Sequence, residues 1–496
     1  MSDAAVVSRP TALDRSLLHG VAWTAATKWA SQALGWASWL IVARLLTPED
    51  YGLVGMAAIY LGLITLLSEF GLGAAVLAIR ELRADQINQL NGLSALLGLA
   101  SLVTSCIVAL PLGRFFHAPQ LPLVVAAMST TFVITSFKTV PLALLQRELR
   151  FKALALIDLC QALALAICMI GLAAAGFRYW TLVYGAVLGA LISTAAVLRL
   201  RHVPLAWPRL KSLKVATAMS SNVLISRVCW YTSANADFLV AGRILGKAAL
   251  GFYNVAWTLA SVSVDKITGL VGQVTPAFFS AVQQDAAAMR RYLLRITEGI
   301  ALITFPVSLG IALVARDFVL VVLGGKWAAA IAPLQILAAY GAVRSLTPLL
   351  PQVLHTIRDT KFEMWTMVGA AVLMPTSFYI GGHRWETVGL AMAWVLMDPL
   401  ITSLLYWRVC SKIALSFSTY LGALWPAVSA TALMGAAVLT VRAYGGRDWT
   451  GAVQLAAEIG AGVITYGLAC LLLHRERLKA FYELVVASRR GAEGCP

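Results

Sequence analysis

The sequence predicts an all-α integral membrane protein of about 14 transmembrane helices: two six-helix lobes related by a pseudo-two-fold axis along the membrane normal, plus two extra helices. Three observations lead there. The 496 residues are 60% hydrophobic and only 12% charged, against roughly a quarter charged in soluble domains. Apolar windows of about 20 residues, long enough to cross roughly 30 Å of hydrocarbon as helices, recur from end to end. A charged corner, "VARLLTPEDYGLV" (42–54), returns as "AGRILGKAALGFY" (241–253), where a shift of 199 lays Arg44 on Arg243, Leu46 on Leu245 and Gly52 on Gly251.

Taken in order, the windows fall at 18–43, 52–78, 88–110, 121–145, 153–175 and 179–198. The next six are 214–241, 251–279, 296–314, 329–354, 363–381 and 387–407, and the last two are 419–441 and 451–473. Ten-residue alternating segments, which a strand barrel would need, are missing. Residues 1–17 are polar, and the run after them is too long for a signal core and lacks a small-residue cleavage site, so it is expected to stay as the first span. The linker "RLRHVPLAWPRLKSLK" (199–214), with Pro204 and Pro208, separates the first six windows from the next six. The expected divisions are 1–205 for an N-lobe, 206–412 for a C-lobe, and 413–496 for the last two helices and a basic cytoplasmic tail. Six is even, so both lobes enter the membrane from one side and form parallel repeats, an arrangement that places a transporter's site at the repeat interface near the midplane. A second echo, "LLQRELRFK" (144–152) and "VLHTIRDTK" (353–361), follows spans that Pro141 and Pro348/Pro351 are expected to break.

The formal net charge of +16 invites a nucleic-acid partner, but its distribution points elsewhere. Assigning loops alternately from an inside N-terminus puts about 24 Lys and Arg on one side and about 10 on the other, the positive-inside bias that sets topology. Both termini are then cytoplasmic. The seven Cys form no CxxC pair and the six His never fall at HxxxH spacing, so no disulfide framework, metal site or cofactor is expected. No nucleotide-binding glycine pattern occurs either.

Charges inside the spans then stand out. Lys28 lies in the first span and, 199 positions on, Arg227 lies in the seventh. Lys138 stands three residues before Pro141 in the fourth span, and Arg344 four before Pro348 in the tenth. Each costs about 2.5–3.5 kcal/mol at a helix centre, so four amount to on the order of 10 kcal/mol, a cost tolerated where the group faces a wet cavity or a partner. Lys28, Arg227, Lys138 and Arg344 are therefore candidates for holding an anion such as a pyrophosphate. Competing readings remain open: Lys28 snorkels toward the cytoplasm, Lys138 and Arg344 satisfy carbonyls freed by the prolines, and Arg227 pairs with Asp237 or another in-membrane acid as a structural bridge. Among the in-span acids, Glu69, Asp265 and Asp237 are candidates for ion coupling, H⁺ or Na⁺; Glu69 lies within a turn of the repeat-equivalent of Asp265. Asp265 and the adjacent Lys266 point to different helix faces and are not a mutual pair. Asp398, before Pro399, reads as a cap on a broken helix. Tyr51, Trp180, Trp327, Trp385, Trp407, Trp425 and Trp449, near span ends, read as interfacial anchors.

The stretches "VARLLTPEDYGLVGMA", "VPLALLQRELRFKALALIDL", "AGFRYWTLVYGAVLGAL" and "NADFLVAGRILGKAALGFYNVAW" resemble the signatures of Wzx-type lipopolysaccharide/colanic-acid oligosaccharide flippases, a branch of the polysaccharide transport family in the multidrug/oligosaccharidyl-lipid/polysaccharide exporter superfamily. The likeness runs from about residue 10 to residue 410. It implies two six-helix lobes forming a V around a central, often cationic cavity. It also implies export of an undecaprenyl-pyrophosphate-linked oligosaccharide across the bacterial inner membrane, for surface polysaccharide synthesis, beside polymerase and glycosyltransferase machinery. The acid-rich cation site of drug-exporting relatives is not evident. Two other classes are weighed: an ion-coupled drug or small-molecule antiporter of the same superfamily, which should need a negatively charged cavity, and a membrane glycosyltransferase, polymerase or ligase. The enzyme would need a sizeable extracytoplasmic catalytic loop, whereas these loops are no longer than about fifteen residues, so a non-enzymatic transporter is expected.

Overall fold

In hydrocarbon a spanning segment must satisfy its own backbone polar groups, and helices do so within one segment. The computed structural model describes residues 12–69, 72–79, 81–209, 228, 231–232, 234–445 and 449–475, and these are overwhelmingly helical. Ten helices among the described residues are long and apolar enough to cross a membrane, one of them a broken 52-residue run. Large apolar side chains such as Ile107, Ile167, Val463 and Leu472 stand exposed along them, as suits a surface solvated by lipid. This is a multi-pass membrane protein. The chain divides into two compact units, residues 1–235 and 236–496.

The first unit contains α1 (Ala12–Leu45), α2 (Pro48–Glu69), α3 (Leu72–Ala78), α4 (Ala84–Phe115), α5 (Leu121–Arg147), α6 (Phe151–Ala174) and α7 (Trp180–Leu200). Helix α4 packs on α5, α1 on α6, and α5 on α7. Small residues set the α4–α5 contact: a Cβ on Gly98 would lie 2.7 Å from the Phe132 carbonyl oxygen, and Ser94 Oγ donates to the Ser136 carbonyl at 2.9 Å. Such residues let backbones approach where lipid supplies no hydrophobic drive between helices. Pro141 does not break its span. It sits inside a continuous α5, as membrane helices allow when neighbouring groups re-satisfy the freed backbone.

The corner quoted above is built on one carboxylate. Asp50 Oδ2 accepts from Thr47 N at 3.0 Å and Thr47 Oγ1 at 2.7 Å, while Pro48 occupies the first helical position of α2. Its Oδ1 accepts from Tyr179 N at 3.2 Å and lies 3.7 Å from Arg178 Nε, tying the corner to the α6–α7 turn. At the opposite ends of these helices the linker after α7 folds back on α4: Asn91 Nδ2 donates to the Val203 carbonyl at 2.9 Å, and Arg209 N to Gln89 Oε1 at 3.1 Å. Alternating topology assigns each of these contacts to ends that share a side of the membrane.

The second unit opens with α8 (Ala236–Val240) and a widened helical turn, Ala241–Leu245, ended by Gly246 at φ +83°. Then come α9 (Gly246–Ala281), α10 (Ala286–Phe318), α11 (Ile331–Arg344), α12 (Leu349–Thr356), α13 (Thr360–Lys412), α14 (Phe417–Tyr444) and α15 (Gly451–Leu473). The window 329–354 is interrupted between Arg344 and Leu349, where Pro348 precedes α12. Helix α13 is two spans: Trp385 and Glu386 leave helical geometry, and the segments on either side meet at Gly381 and Gly389, where a Cβ on Gly389 would fall 1.9 Å from the Gly381 carbonyl oxygen. Arg442 of α14 clamps one end of the unit, donating to Glu458 Oε2 at 2.9 Å, Asp317 Oδ2 at 3.2 Å and the Leu313 carbonyl at 2.6 Å.

The two sequence echoes fare differently in three dimensions. In the second, Leu149 (φ +55°) and Arg358 (φ +60°) occupy matching positions after their helices. Arg150 N bonds the Leu145 carbonyl at 3.0 Å, as Asp359 N bonds that of Leu354 at 2.9 Å, the six-to-one bond of a Schellman end. In the first echo the backbone differs. The Thr47/Asp50 cap of one copy is replaced by the widened turn and Gly246 of the other, because Asp50 aligns with Ala249, which has no side chain to cap with.

Two expected anchors are core residues instead. Trp327 is fully buried and packs edge-on to Phe252, and Tyr51 is 5% exposed. Position near a span end does not distinguish a ring facing headgroups from one facing a neighbouring helix.

Candidate functional site

In the first unit the in-span charged groups of interest sit on α1, α5 and α6, and α7 supplies a neutral partner, Ser193. Lys28 of α1 is exposed. Lys138 of α5 is half-buried, and its Nζ donates to Ser193 Oγ of α7 at 2.7 Å. Asp158 of α6 lies within electrostatic reach of both lysines. The two lysines, 110 positions apart in the chain, come near one acid because α1 packs on α6 and α6 on α7.

In the second unit the charges sit in an aromatic setting. Arg344, the last residue of α11, donates from Nη2 to Asp265 Oδ1 of α9 at 2.8 Å. Its guanidinium lies 5.0 Å from the ring centre of Trp257, a cation–π contact. Trp394 stacks with Tyr340 at 5.9 Å and lies 5.3 Å from Trp257. Asp398 lies within electrostatic reach of Arg344 and beside Tyr340, and its Oδ2 is buried with no hydrogen-bond partner among the described residues. Deeper still, Asp237 is fully buried and accepts from Tyr253 Oη at 2.8 Å and Trp394 Nε1 at 3.0 Å. Both side-chain donors are neutral, and Phe238 N donates to its Oδ1 at 2.8 Å, so among the described residues Asp237 is held by hydrogen bonds.

The structure therefore brings Arg344 and Asp265 together, and puts Asp158 within electrostatic reach of Lys28 and Lys138. Arg227 lies outside the described residues, as does the side chain of Glu69, the last residue of α2. Asp158 nears the lysines only in three dimensions, and Asp398 lies within continuous helix rather than capping a broken one. A signal was available: Tyr253/Trp257, Tyr340/Arg344 and Trp394/Asp398 are each four apart, one helical turn, so each places two side chains of this cluster on one face.

The chain is a multi-pass membrane protein, overwhelmingly helical among the described residues, with basic side chains along its helices. Residues 41–332 match the polysaccharide biosynthesis protein family, and the chain belongs to that family. The lipopolysaccharide biosynthesis protein WzxC of Escherichia coli strain K12 is 25% identical over 426 residues, covering 83% of this chain and 85% of its own length. The teichuronic acid biosynthesis protein TuaB of Bacillus subtilis strain 168 is 22% identical over 473 residues, 92% of this chain and 95% of its own. Among solved structures, the lipid II flippase MurJ in an inward closed conformation matches with a TM-score of 0.68 at 12% identity, over 92% of this chain and 99% of that one. That likeness is one of fold.

Proposed function

We propose that the protein is a flippase that moves an undecaprenyl-pyrophosphate-linked oligosaccharide repeat unit across the bacterial inner membrane, for lipopolysaccharide O-antigen, capsule or exopolysaccharide synthesis, by alternating access. The observation that carries this is the family match, on a chain whose fold is that of a lipid II flippase over nearly its whole length. The chemistry agrees. A lipid-linked sugar has a polar head that cannot cross hydrocarbon and a tail that need not leave it, so its carrier needs in-span cations for the diphosphate. Lys28, Arg227, Lys138 and Arg344 are proposed for that role, and Glu69, Asp237 and Asp265 for coupling to H⁺ or Na⁺. Fourteen spans in two repeated six-helix lobes, cytoplasmic termini and polymerase or glycosyltransferase partners complete the proposal. The drug-antiporter alternative is not favoured, because the family and the relatives named above concern polysaccharide biosynthesis.

The test is a deletion strain supplied with the gene. Restored surface polysaccharide, together with clearance of cytoplasm-facing lipid-linked oligosaccharide, is expected. Persistent accumulation with the protein folded and in the membrane would overturn the function.

A further inference from the structure

Arg344 is held in a way that permits exchange. A guanidinium has five N–H donors in a fixed fork, and the hydrogen bond it makes among the described residues is a single one, Nη2 to Asp265 Oδ1. The two-pronged geometry that makes Arg–carboxylate pairs strong is not used. The pair is also open: the Asp265 side chain is 51% exposed and that of Arg344 29%. The Trp257 face supports the guanidinium independently of the carboxylate.

A carrier of anions has two states to survive. When loaded, the cargo's phosphates neutralise its cations. When empty, it must return with those cations still in low-dielectric surroundings, where a bare charge is costly. We infer that Asp265 is the stand-in anion of the empty transporter, holding Arg344 between cycles and yielding it to a phosphate of the cargo. The inference rests on the lipid-linked substrate proposed above, and it adds to Asp265's proposed ion-coupling role an exchange with the cargo phosphate, which frees the carboxylate when Arg344 is taken.

Competition has a signature that a structural ion pair lacks: removing the competitor tightens binding while slowing the cycle. Farnesyl diphosphate is titrated into the purified full-length protein in nanodiscs, and export is followed in the complemented deletion strain. Asp265→Asn is expected to bind the probe about fivefold tighter, the scale of a partly exposed pair, and to export more slowly. Arg344→Ala is expected to bind at least tenfold more weakly, and Asp265→Glu to behave as wild type. Equal or weaker binding by Asp265→Asn, in protein of unchanged thermal midpoint, overturns the exchange. If that variant does not fold, Asp265→Ser is judged by the same criterion. Wild-type binding that Arg344→Ala leaves unchanged also overturns it, with the flippase function intact. A wild-type gene that fails to restore surface polysaccharide overturns that function instead, whatever the binding assay reads.

Discussion

Asp50 illustrates how much one carboxylate does at a helix corner. It caps α2 through Thr47 and anchors the α6–α7 turn through Tyr179 and Arg178. Asp50→Ala should cost about 2 kcal/mol, the upper range for a lost cap, read as a lower thermal midpoint in detergent; an unmoved midpoint would show that the corner stands without it. Arg442 is a harsher case, since Glu458 is fully buried. Arg442→Met should cost about 3–5 kcal/mol by stranding that carboxylate, and adding Glu458→Met should recover much of the loss. For function, Lys28→Ala and Arg227→Ala are each expected to cripple export without loss of folded protein. Full complementation by the double variant would remove both from the site. Lys28 was legible because a lysine amid apolar residues is conspicuous, whereas Asp158 was not, since its two cations come from helices distant in the chain.

At the scale of elements, the helices were the most legible feature. The window 121–145 became α5 at Leu121–Arg147, and 451–473 became α15 at Gly451–Leu473. Several helices overrun their windows, as α4 does with its polar start "ADQINQLN", because a helix need not stop where the hydrocarbon does. Prolines were less legible: Pro348 marks a break and Pro141 does not, a choice made by neighbouring helices. Crossings were invisible until the partner glycine was known. Gly389→Ala should force the two halves of α13 apart and cost about 1–3 kcal/mol, measurable as a fall in unfolding midpoint; an unchanged midpoint would mean the crossing can open freely. Leu149 offers the opposite sign. It is exposed and left-handed at a helix end, so Leu149→Gly should stabilise by about 1 kcal/mol by relieving Cβ strain.

For the whole molecule, the direction of transport can be tested through charge. Each negative charge moved outward gains about 2.3 kcal/mol per 100 mV of inside-negative potential, so a diphosphate carrying two gains about 4.6 kcal/mol. In proteoliposomes with a potassium diffusion potential, flipping of a prenyl-diphosphate-linked sugar should quicken as the inside becomes more negative. A rate indifferent to potential would mean that the charge is cancelled by a co-transported ion. By itself the sequence determined the solvent, the all-helical character and the family, because hydrophobic runs and short signature stretches are local properties that any window of the chain displays. Tertiary structure alone decided that Asp265 holds Arg344, that Asp158 comes within electrostatic reach of two lysines, and that Trp327 is core. Those outcomes depend on which helix faces meet, and short-range electrostatics and packing act through space between residues that the chain order keeps far apart.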